Sequence, residues 1–327
     1  MKCHCCSGPV KKTGFYENRN NRVQRFRCLR CDATFSERQP LDGVRIETAR
    51  AAQVVSMLFE GIGINAIVRL TGLSKDAVLN VLDVAGEKCE RFLQEKVRNV
   101  TATCVQVDEL YAYIAKRPDF TRADDPERGE FFCYLSMDRK TKLIINHHVG
   151  KRTREDCGAF MAGLKERTQG NRFQLSSDGY SGYIGFGGAV FQTFKHEIDY
   201  GTEVKAFGKE FEPGIGMERR SFRKYNRTIV KWVKRTPQIG KPKKKLINTS
   251  HAERLNLTMR LFNRRFTRCT LGYSKKLENH KRAVAIFICL YNFCRVHSAH
   301  GKTPAQAAGL ADHKWTVEEV LSDREMI

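Results

Sequence analysis

The chain has 327 residues, of which 58 are Lys or Arg and 36 are Asp or Glu, giving a net charge of +22. That length accommodates two or three domains with a sizeable core, and the cationic excess points to a polyanionic partner, nucleic acid before a membrane surface. The most apolar run, Ala283–Cys294, lies between Arg282 and Arg295 and is too short to span a bilayer, which excludes a membrane-spanning chain and leaves a buried helix.

Twelve cysteines without an apolar N-terminal leader imply a reducing, cytoplasmic setting, where clustered thiols bind metal more often than they pair. Cys3-x-x-Cys6 and Cys28-x-x-Cys31, separated by 21 residues, read as a four-thiolate zinc ribbon occupying residues 1–42. A segment this short builds no core of its own, so one structural zinc would supply its folding energy. His4 and Cys5 could substitute as ligands, but the two-residue gap favours Cys3 and Cys6. The basic residues between the knuckles, among them Lys11, Lys12, Arg22 and Arg25, suit hairpins lying against DNA.

Residues 43–98 predict three helices, Ile46–Glu60, Ile64–Thr71 and Lys75–Val97. Gly72-Leu73-Ser74 joins the last two as a tight turn that ends in a helix cap, the pattern of a helix-turn-helix. Val78, Leu79 and Leu82 would hold the third helix to the others and leave Lys75 and Asn80 outside as DNA contacts. That outer side is not strongly basic, so a plain three-helix bundle or dimerisation unit is the alternative.

Residues 99–327 change to an α/β pattern. Thr103–Ile114, Phe131–Met137 and Leu143–Val149 read as three strands, followed by a helix over Thr153–Thr168 capped by Thr153 and a short strand Phe173–Ser177 ending in Asp178-Gly179. Three antiparallel strands, a helix and a further strand are the order of a ribonuclease-H-like core. In that topology Asp108, in the middle of the first strand, and Asp178, at the tip of the fourth, come side by side. Residues 180–247 read as a Gly-rich, basic insertion with weak strand signals. From Arg219 to Lys245 it holds twelve Lys or Arg and no acid, with Phe222, Tyr225 and Trp232 interleaved. Arg219, Arg220, Arg223, Lys224, Arg227 and Lys231 are the phosphate-gripping candidates there, whereas Lys241–Lys245 reads equally well as a solvated loop.

Residues 251–266 predict an amphipathic helix with Leu255, Met259, Phe262 and Phe266 on one stripe and Glu253, Asn256, Arg260 and Arg264 opposite. Arg264 and Arg265 extend the basic file toward DNA. Ser250-x-x-Glu253 also fits a capping box, so Glu253 is either a cap, a metal ligand or both. With Asp108 and Asp178, it would make a three-carboxylate site for two hard cations about 4 Å apart, and Arg260, seven residues on, could hold a phosphate beside them. His251 reads as a packing or capping residue.

The runs NTSHAERLNLTMRLFNRRFTR, LYNFCRVH, TPAQAAGLADH and KWTVEEV resemble the C-terminal half of insertion-sequence-family-one transposases, and VDELYAYIAKR and SSDGYSGY resemble the segments that bear that family's first two acids. The zinc ribbon and helix-turn-helix match its end-binding region. The resemblance implies a DDE transposase with Asp108, Asp178 and Glu253 as the triad and Arg260 as the basic residue after the Glu. It also implies two magnesium or manganese ions and double-stranded DNA as partner, with inverted repeats and target both bound. A homodimer or larger assembly is expected because two ends must be held together. Tyr111 stands where the family often has Trp, and Tyr180 where it often has His. The alternatives are a ribonuclease-H-like nuclease or resolvase, and a catalytically silent DNA-binding relic that acts as a repressor.

Overall fold

A computed structural model of the chain describes all residues except 1–2, 4–5, 7, 18–21, 37–40, 42–43, 45, 117–124, 169, 211–226, 268–269 and 323–327. Contacts divide it into two compact units, one made of Met1–Lys96, Arg260–Val296 and Ala311–Ile327, the other of Val97–Met259 and His297–Leu310. Residues 260–296 and 311–327, expected with the catalytic core, therefore group with the N-terminal unit. Among the described residues no helix is long and apolar enough to cross a membrane.

The first unit begins with an antiparallel sheet of β1 (Val10–Glu17), β2 (Arg22–Cys28) and β3 (Thr34–Ser36), in that order. Its apolar content is slight: Val23 and Phe26 are buried, and Phe26 stacks on Phe35 at 5.9 Å. Three helices follow, α1 (Thr48–Phe59), α2 (Ile64–Thr71) and α3 (Lys75–Lys96), within two residues of the expected bounds. Gly72 ends α2 in the left-handed region (φ 69°), where a side chain would be strained, and the Ser74 hydroxyl accepts the Ala77 N–H at 3.1 Å to start α3. Val78 and Leu82 are buried and Leu79 is half-buried.

The other face of α3 is covered from far along the sequence. The apolar run expected as a buried helix forms α7 (Leu277–Phe293), and at Gly86 a Cβ would come within 2.8 Å of the Arg282 Cα. The two backbones thus touch, and only glycine fits there. Phe92 meets Phe293 and Trp315 edge-on at 4.8 and 5.0 Å, and Phe59 packs against Phe262 and Phe287. A short helix over Val317–Ser322 is tied in by Lys88, whose Nζ donates to the Leu321 carbonyl at 2.8 Å.

His280 of α7 is fully inside this core, its Nδ1 3.1 Å from the Ser274 hydroxyl. Burial, then the Arg265 charge, pushes its pKa down to about 3, so it is neutral when folded. Below about 6.5 the unfolded chain takes up a proton that the folded chain refuses, so stability must fall as pH drops from about 6.5 toward 3. Between pH 7 and 5 this one residue is expected to account for about 2 kcal/mol of lost stability. Urea midpoints at both pH values should show a smaller difference in His280→Gln than in the wild type.

The second unit is built on a six-stranded sheet. Its strands are β4 (Cys104–Ile114), β5 (Gly129–Asp138), β6 (Ile144–Gly150), β7 (Gln174–Ser177), β8 (Asp199–Glu210) and β9 (Arg227–Ile239), in spatial order β6-β5-β4-β7-β8-β9. The first three are antiparallel, β7 runs parallel to β4, β8 parallel to β7, and β9 antiparallel to β8. Helix α4 (Arg154–Arg167) makes the crossover to β7, and Thr153 caps it as expected, accepting the Asp156 N–H at 3.1 Å. The first five strands thus follow the ribonuclease-H-like order. The described residues of 180–247 are part of this sheet: they hold the short α5 (Ala189–Phe194) and both β8 and β9. Gly201, Thr202 and Glu203 are the buried residues after Tyr200 in β8, so its inner positions carry little of the β-branched, apolar signal that marks a central strand.

Candidate functional site

Two clusters of metal-ligating side chains stand out. The first is in the ribbon, where Cys3 Sγ lies 3.5 Å from Cys31 Sγ and Cys6 Sγ 3.4 Å from Cys28 Sγ, all four sulfurs falling within 4.8 Å of one another. A tetrahedral zinc with bonds of about 2.3 Å sets its sulfurs about 3.8 Å apart, so the four thiols fit a closed zinc site. Cys28 Sγ accepts N–H bonds from Cys31 and Arg30 at 3.5 and 3.3 Å, which bring its pKa down to about 6 and favour the ligating thiolate. His4 and Cys5 lie outside the described residues.

The second cluster sits where β4 and β7 run side by side. Gln106 of β4 pairs with Ser176 of β7, which brings Asp108 and Asp178 to the same end of the parallel pair. Their carboxylates and that of Glu109 lie within 4.8 Å of one another, a hard-oxygen set suited to magnesium or manganese. Asp178 Oδ1 accepts the Tyr180 N–H at 2.9 Å, and Asp108 Oδ1 accepts the Glu109 N–H at 3.0 Å.

Glu109 was not among the residues expected here. Strand alternation turns it from Asp108, yet its carboxyl reaches the same cluster. Its side chain is only 4% exposed; Oε2 meets Arg152 at 3.2 Å, while Oε1 and the buried Tyr183 hydroxyl near it lack a hydrogen bond of normal geometry. Burial first, then the Asp178 and Asp108 charges, push the Glu109 carboxyl up to about 7. Arg152 in turn lies over the rings of Tyr180 and Phe132. The adjacent Asp-Glu pair is the one sequence signal that points to this residue.

Helix α6 (Ser250–Phe262) carries Glu253, but not as expected. Ser250 lies inside the helix and bonds Asn248, so it forms no capping box; Thr249 precedes the helix and donates its hydroxyl to Glu253 Oε1 at 2.9 Å. The Lys205 ammonium pairs with the same oxygen at 2.5 Å and with Glu203 at 3.3 Å. Glu253 is thus held by Lys205 and Thr249 and is not one of the three carboxylates drawn together around Asp108. The helix start is satisfied instead by Gln106, whose Oε1 accepts the N–H groups of His251 and Ala252 at 2.9 and 3.1 Å. His251 Nδ1 itself lies 3.1 Å from the Lys142 ammonium.

Asn256, expected on the polar face, is buried and donates Nδ2 to Asp108 Oδ2 at 2.8 Å. It orients a ligand from one residue out. Asn256→Ala is expected to weaken a divalent ion at this cluster by about 10- to 100-fold, read by terbium luminescence, without unfolding the sheet.

The helix ends at Phe262, where Asn263 caps a single 3-10 turn over Arg264–Phe266, so Arg260 lies in the last turn and Arg264 and Arg265 lie beyond it. Those two residues, with Lys75 and Asn80, line one groove of the first unit. Arg264 is exposed; Arg265 is half-buried with its Nε inside, and burial pushes its guanidinium down to about 10. Lys231 is exposed on β9 next to Trp232, itself 54% exposed. Arg219, Arg220, Arg223 and Lys224 fall outside the described residues, as does the side chain of Arg227.

No protein-family model matches the chain, and no curated protein matches it. Among solved structures it is similar to a pre-cleavage Mos1 transpososome, at 12% identity over 48% of this chain and 58% of that one, with a TM-score of 0.21. It is similar also to the Mos1 transposase paired-end complex with left transposon end, at 13% identity over 46% and 56%, with a TM-score of 0.20. The match spans little more than half the length of those chains.

Proposed function

We propose that the chain is a DDE-type DNA transposase of the insertion-sequence-family-one kind, which binds the ends of its element and cuts and joins DNA. The observation that carries the proposal is the parallel pairing of β4 with β7, which sets Asp108 and Asp178 together. Asp108, Asp178 and Glu253 would hold two magnesium or manganese ions, and Arg260 would steady a phosphate beside them. Bound there, the ions would activate a water or a 3′-hydroxyl and stabilise the leaving oxygen. Glu253 would take this role by exchanging the Lys205 ammonium for metal; one cation replaces another on the same carboxylate.

The four-thiolate ribbon and the α2-turn-α3 pair would recognise the element's ends as zinc ribbon and helix-turn-helix, and Lys231 with the neighbouring basic residues would hold the DNA backbone. Two ends must be held at once, so the working form is taken to be a dimer or larger assembly on DNA, in the cytoplasm at the nucleoid. A second reading has one observation in its favour: Glu109 in the acidic cluster gives a three-carboxylate site without Glu253, as a nuclease or resolvase of the ribonuclease-H type would use.

The deciding experiment incubates the full chain and magnesium with a labelled duplex bearing its element's ends. Joined products from the wild type support the transposase. Cleavage without joining supports the nuclease, and binding with neither reaction supports the silent relic.

A further inference from the structure

The first unit bears an open groove of about 770 Å3 at the turn between α2 and α3, faced by the segment that runs from Arg264 to Asn279. Six cationic side chains line it, Arg69, Lys75, Arg264, Arg265, Lys275 and Lys276, against one carboxylate, Asp83. That carboxylate is already engaged by Arg282, Nε to Oδ1 at 3.1 Å. The groove is therefore strongly positive with no acid free to balance it.

Arg265 is the unusual member. Its Nε is buried without a hydrogen-bond partner, and no acidic side chain among the described residues pairs with its guanidinium. Its charged neighbour in the core would be His280, but that ring is neutral and bonded to Ser274. A buried donor left without a partner is costly unless something supplies an acceptor, and the half-exposed guanidinium can offer its remaining N–H groups to the same anion. Here the open side of the groove is where an anion can enter, and five further cations, Arg69, Lys75, Arg264, Lys275 and Lys276, stand exposed on its lining.

The lining also says what kind of anion. Its one aromatic ring is Tyr273, and the Lys275 ammonium already sits 3.8 Å over that ring. A single ring that already carries a cation offers a nucleotide base little to stack on, whereas a phosphate chain needs only the cations and N–H donors that the lining supplies. The groove also opens at the N-terminal end of α3, beside Asn80, so a duplex seated there would present its backbone to the groove and its edges to the helix. We propose that this groove seats backbone phosphate of double-stranded DNA, with Arg265 as the half-buried contact and Lys75, Arg264 and Lys276 as the surrounding ones. The proposal rests on the reading of the chain as a protein that acts on DNA, and it gives the segment after α6 a share in duplex binding that a helix-turn-helix alone would not need.

Fluorescence anisotropy of the full chain with a labelled duplex of arbitrary sequence, at a series of salt concentrations, tests it. Arg265→Gln is expected to weaken binding about tenfold and to flatten the salt slope by about one, while its thermal midpoint equals or exceeds that of the wild type because an unsatisfied buried donor is gone. Arg264→Gln combined with Lys276→Gln, both at exposed sites, should flatten the slope by about two. Wild-type affinity and slope in these folded variants would overturn the proposal, and if Arg265→Gln does not fold, the double variant decides. Loss of inorganic phosphate binding with duplex binding intact would also overturn it, in favour of a small-anion pocket. A wild type that binds the duplex through this groove yet never cleaves DNA would remove the enzymatic reading alone. A wild type that cleaves while groove variants bind normally would remove the groove alone.

Discussion

Chelating the metal that the four thiolates would hold, zinc on our reading, is expected to unfold the N-terminal ribbon while leaving the six-stranded sheet of the second unit intact. The ribbon has almost nothing else to hold it. Among its described residues Val23, Phe26, Phe35 and Leu41 supply the few apolar contacts, and the ion pair between Arg27 and Asp32 is solvent-exposed and so contributes little. The free energy of a structural zinc site is, in a segment this small, the free energy of folding. Cys28→Ser should act like the chelator, since it removes a sulfur that two backbone N–H bonds already favour as thiolate. Amide exchange is the measure: protection over β2 should vanish on chelation and return with zinc, and protection over β5 should not change. Persistent protection of β2 without metal would mean that the four cysteines are spectators.

The second large effect concerns the acids. Asp108→Asn and Asp178→Asn are each expected to lower metal-dependent cleavage at least about a hundred- to a thousandfold, the scale on which a lost electrostatic group at the transferring phosphate is felt. The informative comparison is between Glu253→Gln and Glu109→Gln. If Glu253 leaves Lys205 for a metal ion, Glu253→Gln falls as far as the two Asp variants and Lys205→Met stays active. If Glu109 is the third ligand, Glu109→Gln is the silent variant, and Glu253→Gln loses only the helix-end contacts with Thr249 and Lys205. Rates from a single-turnover assay, with manganese and magnesium in parallel, separate the two.

Much of this arrangement could be read from local pattern. Alternation marked β4, the Thr153 cap fixed the start of α4, and Gly72 with Ser74 placed the turn before α3, because each depends on residues a few positions apart. What escaped depends on residues far apart. Gln106 caps a helix 145 residues later, and Asn256 reaches Asp108 across 148 residues; neither has a sequence signature, since a buried amide is chosen by its partner. The periodicity of residues 251–266 also ran past the true helix end. Phe266 is buried by a 3-10 turn after Asn263 and so continues the apolar spacing without continuing the helix. Glu109 was hidden by the rule that usually helps, because alternation assigns it to the opposite face of β4.

The close packing of α3 on α7 bears on how the chain is made. Asp83 and Arg282 are 199 residues apart, and Lys88 and the Leu321 carbonyl 233. At about 5–20 residues per second, a ribosome takes roughly 10–40 s between making the first of these surfaces and the second. All of the second unit except residues 297–310 is synthesised in that interval. The apolar side of α3, Gly86 and Phe92 among it, therefore waits bare until the last part of the chain emerges. Truncation ahead of α7 leaves that surface permanently uncovered, which makes an incomplete translation product a target for aggregation or proteolysis, not a free-standing DNA-binding fragment.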